Sequence, residues 1–289
     1  MKGSATKLGH LDRTATEPRE KTLLSVRVAG VENANKKIRL LKLELREGPS
    51  DFLAGQWLDT FVPGDPKPGG FTIASAPSAA AQASEPYVEL AVQEAPENPA
   101  AAWLWKPKNQ IMGRHLDVRF GGSFVCPPSE GLEGIRRIVL VAGGVGINPL
   151  MSILGYIADE NGELSIEVSL LYSTKATEDG DLGKVLFWDR IVDLIRRDRV
   201  VGRAKLFLTG PLSHARDSAS YKTSDANIGF GRITRDDILP EIRAGGGKDS
   251  TLTYICGPPA MTDYFVDMLT APNMASEIDA TRVKSEKWW

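Results

Sequence analysis

Three short segments carry residue types suited to holding a nucleotide. In Val141-Ala-Gly-Gly-Val-Gly-Ile-Asn-Pro-Leu150, glycines stand directly between an apolar run and a helical pattern. Without side chains, the backbone at Gly143, Gly144 and Gly146 can approach a ligand closely, and the free amides of a helix start can bind a diphosphate. The spacing departs from the standard dinucleotide fingerprint, so a tight turn that needs glycine for geometry alone remains open. The second segment, Tyr254-Ile-Cys-Gly-Pro-Pro-Ala-Met-Thr262, again joins an apolar run to a helix start. In an open α/β sheet, ligands bind beyond the carboxyl ends of the strands, so both turns should face one crevice. Cys256 sits there either as a positioned thiol or as a small buried hydrophobe. A thiol nucleophile is disfavoured, because His10, His115 and His214 are scattered and none is near it in sequence. The third segment is Pro68-Gly-Gly-Phe-Thr-Ile-Ala-Ser-Ala-Pro77.

These segments lie in two differently patterned halves. Residues 23–28, 38–45, 57–62, 71–74, 88–92 and 116–120 alternate apolar and polar, which predicts about six half-buried antiparallel strands and a small barrel. Turn formers at Pro127-Pro-Ser-Glu-Gly131 end that pattern and mark a domain boundary. Beyond it, continuous apolar strands at 138–142, 166–172, 204–209 and 252–256 alternate with helices at 147–158, 182–195 and 234–242 and one opened by Pro258. That alternation is the signature of a parallel sheet covered on both faces. The expected organisation is a poorly ordered terminus over 1–21, a β-barrel over 22–130 and an α/β domain over 131–289. The basic run Arg196, Arg197 and Arg199 reads as a solvated helix end.

Composition narrows the classes. The chain has 289 residues, a formal charge of −2 and 35 Lys plus Arg against 37 Asp plus Glu, so it lacks the basic footprint of a nucleic-acid binder. No apolar stretch approaches the roughly 20 residues of a membrane-spanning helix. Two cysteines, Cys126 and Cys256, exclude a disulfide framework, a four-thiolate zinc site and a four-cysteine iron–sulfur cluster within this chain. No metal site is expected. The chain reads as soluble and intracellular, with the mitochondrion and the cytoplasm both open.

The order of the halves, with Gly143-Gly-Val-Gly-Ile-Asn-Pro149, Gly231-Arg-Ile-Thr234, Ile255-Cys-Gly-Pro-Pro-Ala-Met-Thr-Asp263 and the final Glu286-Lys-Trp-Trp289, resembles the ferredoxin–NADP reductase superfamily. Within it the sequence is most similar to the oxidoreductase NAD-binding-domain-containing protein 1 branch, over about residues 22–289. The resemblance implies a flavin-binding six-stranded antiparallel barrel followed by a nicotinamide-dinucleotide-binding α/β domain, with FAD and NAD(P)H as cofactors. It sets Phe71 on the aromatic position that packs on the flavin ring and Thr72 on the hydroxyl position beside it, with Ile73, Ala74 and Ser75 following. Gly69 falls where the family has a phosphate-binding arginine, and Ala101 falls near a hydroxyl position under the diphosphate. The helix start at Asn98-Pro-Ala-Ala-Ala-Trp-Leu104 keeps backbone amides that can serve there, with Arg114 and Arg119 as substitute cations.

On the nicotinamide side the resemblance makes Gly143, Gly144, Val145, Gly146 and Ile147 the diphosphate cradle. It puts Cys256, Gly257, Pro258 and Met261 at the nicotinamide. Ser173 and Lys175, at the end of a strand, are expected near the ribose, where Arg232, Glu178 and Asp179 also lie, leaving NADH against NADPH open. Trp289 is expected to stack on the flavin, and Glu286 is a weaker candidate for proton delivery. The implied activity is hydride transfer from NAD(P)H to FAD, then electron transfer to another molecule, for which a redox protein is one candidate. The polar loop 211–231 is a candidate docking surface for it. Because two flavin-phosphate contacts are missing, the alternative is a nicotinamide-nucleotide-binding sensor or assembly module with a non-catalytic flavin site.

Overall fold

A computed structural model describes residues 9–160, 164–210 and 227–287. The first half forms β1 (Leu24–Asn35), β2 (Ile38–Leu45), β3 (Trp57–Phe61), β4 (Gly69–Thr72), β5 (Tyr87–Gln93) and β6 (His115–Gly121). They pair antiparallel in the order β4-β3-β6-β1-β2-β5, and a bridge from Ile73 to Leu90 joins the two ends. Alternation does what it predicts: Leu41, Leu43 and Leu45 of β2 are buried while the residues between them are half-exposed. Two short helices, α2 (Ser78–Ala81) and α3 (Pro99–Leu104), lie between the strands, and α4 (Lys108–Ile111) precedes β6.

The second half is a parallel sheet of β7 (Arg137–Gly143), β8 (Glu167–Lys175), β9 (Gly202–Thr209), β10 (Asn227–Phe230), β11 (Thr251–Gly257) and β12 (Val283–Lys287), ordered β10-β9-β8-β7-β11-β12. Every residue of β7 and β11 is buried, as central strands covered on both faces must be. The covering helices are α5 (Ile147–Asp159), α6 (Trp188–Arg196), α7 (Arg235–Ala244) and α8 (Pro259–Leu269). Thr234 and Asp237 close the expected capping box on α7. Arg197 and Arg199 pair with Asp193 and Asp159 at the solvated end of α6, as expected. No described helix is long and apolar enough to cross a membrane.

Three differences from the sequence expectations have physical causes. The helix expected over 182–195 begins only at Trp188, because the contiguous run Val185 to Trp188 is buried as a turn and Phe187 adopts a left-handed φ of 61°. The long loop before Gly231 contains β10, whose strand pairs with β9; residues 211–226 of that expected docking loop lie outside the described residues. Residues 9–21 do not behave as a free tail. They form a strap carrying a short helix, α1 (His10–Arg13), and an antiparallel bridge from Arg19 to Gly121. The strap is held by Asp59, which is wholly buried and receives His10 Nε2 at 2.8 Å, Arg19 Nε at 3.1 Å and Arg119 Nε at 3.0 Å. A buried carboxylate needs such partners, and the sequence pattern gave no sign of a cation meeting one 40 or more residues away.

Candidate functional site

The two glycine turns interlock. Gly144 has a left-handed φ of 56° and starts a tight 3-10 turn that leads into α5. A Cβ at Gly146 would stand 2.2 Å from the Cys256 carbonyl oxygen, and one at Gly143 would stand 2.7 Å from the Met261 sulfur. A Cβ at Gly257 would stand 2.5 Å from Met261 Cε, so the second turn is held equally close to the first. Gly146 caps α5 and, among the described residues, no side chain caps its first turn, while Gly144 and Val145 keep partial exposure. An uncapped helix start beside close-packed glycines is suited to an anion. The sequence brings these seven residues together as expected: Gly143 to Ile147 on one strand end and Cys256 and Gly257 on the next. Ser173 pairs with Gly143 across β7 and β8, and Lys175 follows as an exposed residue at the same sheet end. Glu178 is bonded to Lys36 at 2.6 Å, and Asp179 is paired with Lys184.

Cys256 is buried, and burial together with the nearby Glu286 carboxylate pushes its thiol well above the ordinary value. It is a protonated thiol, and a nucleophilic role has no support. Its neighbour in the parallel register is Glu286 on β12. Burial, with a further push from Glu17 of the strap, raises the Glu286 carboxyl to about 8. Glu17 itself accepts hydrogen bonds from the Ser123 backbone and hydroxyl at 3.0 and 2.6 Å. The strap, the loop after β6 and the last strand thus meet at one edge. Trp288 and Trp289, the expected flavin-stacking end, lie outside the described residues.

The barrel is pressed onto α5 and β11 of the second half. Ser152 of α5 donates to the Ser75 carbonyl at 2.7 Å, Asn148 donates to the Ala91 carbonyl at 2.9 Å, and Gly155 leaves room for Ala76. Across the same interface Phe124 meets Tyr254 edge to face at 5.3 Å, and the Tyr254 hydroxyl donates to the Val125 carbonyl. Thr72 pairs with Trp57, and Trp57 pairs with Gly121, three residues before Phe124. The end of β4 is thereby tied to the turn that carries Cys256.

No protein-family model matches the chain. A Bos taurus protein named oxidoreductase NAD-binding domain-containing protein 1 is 35% identical over 289 residues, covering 97% of this chain and 85% of its own length. This chain belongs to the oxidoreductase NAD-binding domain-containing protein 1 family. Among solved structures, the Amycolatopsis cytochrome P450 reductase GcoB superposes with a TM-score of 0.67 at 21% identity, over 94% of this chain and 70% of that one. A Neisseria gonorrhoeae ferredoxin NADP+ reductase with bound FAD and NADP gives 0.64 at 18% identity, over 93% and 100%. The fold is therefore the two-domain ferredoxin-reductase type.

In this member of the oxidoreductase NAD-binding domain-containing protein 1 family, the barrel half of the site is divided. Phe71 and Thr72 are part-exposed on β4. Ile73, Ala74 and Ser75 are buried; the amides of Ile73 and Ala74 donate to Gln56 and Glu89, and the Ser75 hydroxyl accepts from the Glu89 amide. They position the strand and offer little surface. The end of the barrel expected to hold a phosphate is filled. A Cβ at Gly69 would stand 2.6 Å from Ala100 Cβ and 2.8 Å from the Phe71 ring. The amides of Ala100 and Ala101, expected to be available for a phosphate, are taken by Asn98 Oδ1 at 3.1 and 3.2 Å. That capping bond was readable in the sequence as an Asn before Pro at a helix start, and it competes with any ligand. Arg119, an expected substitute cation, is committed to Asp59, and Arg114 is exposed and donates to the Gln110 carbonyl.

Proposed function

We propose that this chain is an NAD(P)H-dependent oxidoreductase that passes a hydride from reduced nicotinamide to a flavin ring at the domain interface and then releases electrons to a separate acceptor. The interlock of Gly146 against the Cys256 carbonyl, which fixes one turn relative to the other, carries this reading. Gly143, Gly144, Val145, Gly146 and Ile147 cradle the nicotinamide dinucleotide's diphosphate on backbone amides. Cys256, Gly257, Pro258 and Met261 border the nicotinamide, with the neutral thiol filling space beside it rather than reacting. Ser173 and Lys175 face the ribose. The ring end of the barrel fits a flavin: Phe71 supplies an aromatic face and Thr72 a hydroxyl, at a strand end held to the other domain. When bound, a flavin there would supply the capacity to take two electrons and return them to a partner of different type. Glu286 holds a proton near neutral pH and stands beside Cys256, so its carboxyl is the group able to give or take a proton at this edge. Packing of the two domains excludes water and fixes orientation.

Support from relatives is coarser: a Burkholderia cepacia relative, 24% identical over 78% of this chain, is named an electron transfer component of a dioxygenase. One observation favours a second reading, a nicotinamide-nucleotide-binding sensor or assembly module: the phosphate end beside Gly69 and Asn98 does not fit an FAD diphosphate. Absorbance spectroscopy separates the two. Purified chain mixed with flavin and then with NADH or NADPH should bleach the flavin bands at a rate proportional to protein; bleaching no faster than without protein, with both nucleotides, overturns the oxidoreductase reading.

A further inference from the structure

We infer that the flavin this chain uses is an exchangeable substrate recognised by its ring alone, so that riboflavin, FMN and FAD are bound alike. The inference rests on the proposed function and concerns what that same site selects. Two diphosphate cradles are expected in a chain of this fold, and the structure keeps only one of them. The start of α5 carries no side-chain cap, whereas α3, six residues long, has its first amides consumed by Asn98. Opposite the Asn98 cap, Gly69 is packed against Ala100 and the Phe71 ring so closely that no side chain fits. An anchoring cation is thus absent and could not be accommodated without moving both neighbours. Ala100 and Ala101 are each only 2% exposed, leaving no hydroxyl and little surface for a phosphate. The Thr60 hydroxyl, opposite Gly69 in the β3–β4 register, has no hydrogen-bond partner among the described residues, but Thr60 is wholly buried and offers a ligand nothing at the surface.

The neighbouring Arg39 is spent elsewhere. Arg39 donates to the Leu104 and Lys106 carbonyls at 2.9 and 2.7 Å, where it satisfies the far end of α3. Charge-assisted bonds are what make a phosphate arm worth holding, and Arg39 and Arg119 are both committed to other partners. A flavin held only by stacking and one hydroxyl exchanges with solvent. The reaction then balances as a two-substrate process: the C–H bond of NAD(P)H breaks with its electron pair, an N–H bond forms on the flavin, and one proton is taken from solvent. The products are NAD(P)+ and dihydroflavin, which leaves and reduces its acceptor away from the protein.

Equilibrium titration of the full chain with riboflavin, FMN and FAD, read by flavin fluorescence in the presence of NAD+, tests this. The expected result is three dissociation constants within about threefold of one another, unchanged by Arg114→Ala at the exposed arginine nearest to α3 in sequence. FAD binding about a hundredfold tighter than riboflavin, FAD that stays with the protein through gel filtration, or an Arg114→Ala variant that loses FMN and FAD but keeps riboflavin, each overturns the inference while leaving the proposed function standing. No binding of any of the three overturns both.

Discussion

Glu286→Gln isolates the chemistry of the shared edge. Burial and Glu17 raise the Glu286 carboxyl from an ordinary 4.5 to about 8, so the folded chain keeps a proton that the unfolded chain has already lost. Between those two values the folded state binds more protons than the unfolded one, and stability must fall as pH rises. At about 1.4 kcal/mol per tenfold change, the full interval bounds the loss at about 5 kcal/mol. Glu286 is only part-buried, which brings the expected loss to about 2 kcal/mol. Glutamine copies the protonated acid and cannot ionise. Its urea midpoint relative to the parent chain should therefore be unchanged near pH 4.5 and rise progressively up to about pH 8, then stay level. Midpoints for the two proteins that run parallel across this range would refute the assignment of a neutral carboxyl at this edge, whatever its part in proton transfer.

Gly146→Ala forces a Cβ against the Cys256 carbonyl, where backbone lies on both sides and neither can yield; nicotinamide affinity measured by calorimetry should fall at least about tenfold, with stability down by about 2 kcal/mol. Asp59→Asn strips a buried charge from beneath His10, Arg19 and Arg119 and should destabilise the chain by on the order of 3 kcal/mol, with new proteolytic cutting in residues 9–21 as the direct sign of a released strap. Both cysteines are buried, and burial pushes Cys126 up to about 12, so a thiol reagent at pH 8 should label neither until denaturant is added. Asn98→Ala removes the cap on α3 and should cost about 1 kcal/mol, read by thermal melting.

The barrel and the sheet were legible because each obeys a single period. β2 was placed at 38–45 to the residue, and β7 and β11 to within a residue at each end, since their burial pattern is either strictly alternating or unbroken. Convergence of the glycine turns followed from topology alone, and the Gly146 contact with Cys256 bears it out. What escaped the sequence depends on pairs distant along the chain. His10 and Asp59 are 49 residues apart, and nothing local to either announces the other. The state of the expected flavin-phosphate end escaped for the opposite reason: Gly69 and Ala101 were visible as losses, but whether those losses left an empty cradle or a filled one depends on Ala100 and the Phe71 ring, which occupy the space beside Gly69. Helix α6 was overextended at its start because an apolar run of four residues reads as a helical face when it is in fact a buried turn.

The strap gives the folding of this chain an order. Residues 9–21 are made before any barrel strand, yet their anchors, Asp59, Arg119 and Gly121, come up to about a hundred residues later. Until β3 and β6 have paired, Asp59 has no closed environment and the strap nothing to grip, so the earliest part of the barrel half to be synthesised must wait for the last strand of the barrel before it can settle. A truncation at residue 22, where the strand pattern begins, would remove a late-fitting piece whose loss bares a carboxylate and the Trp57 ring together. The packed barrel begins ahead of its first strand.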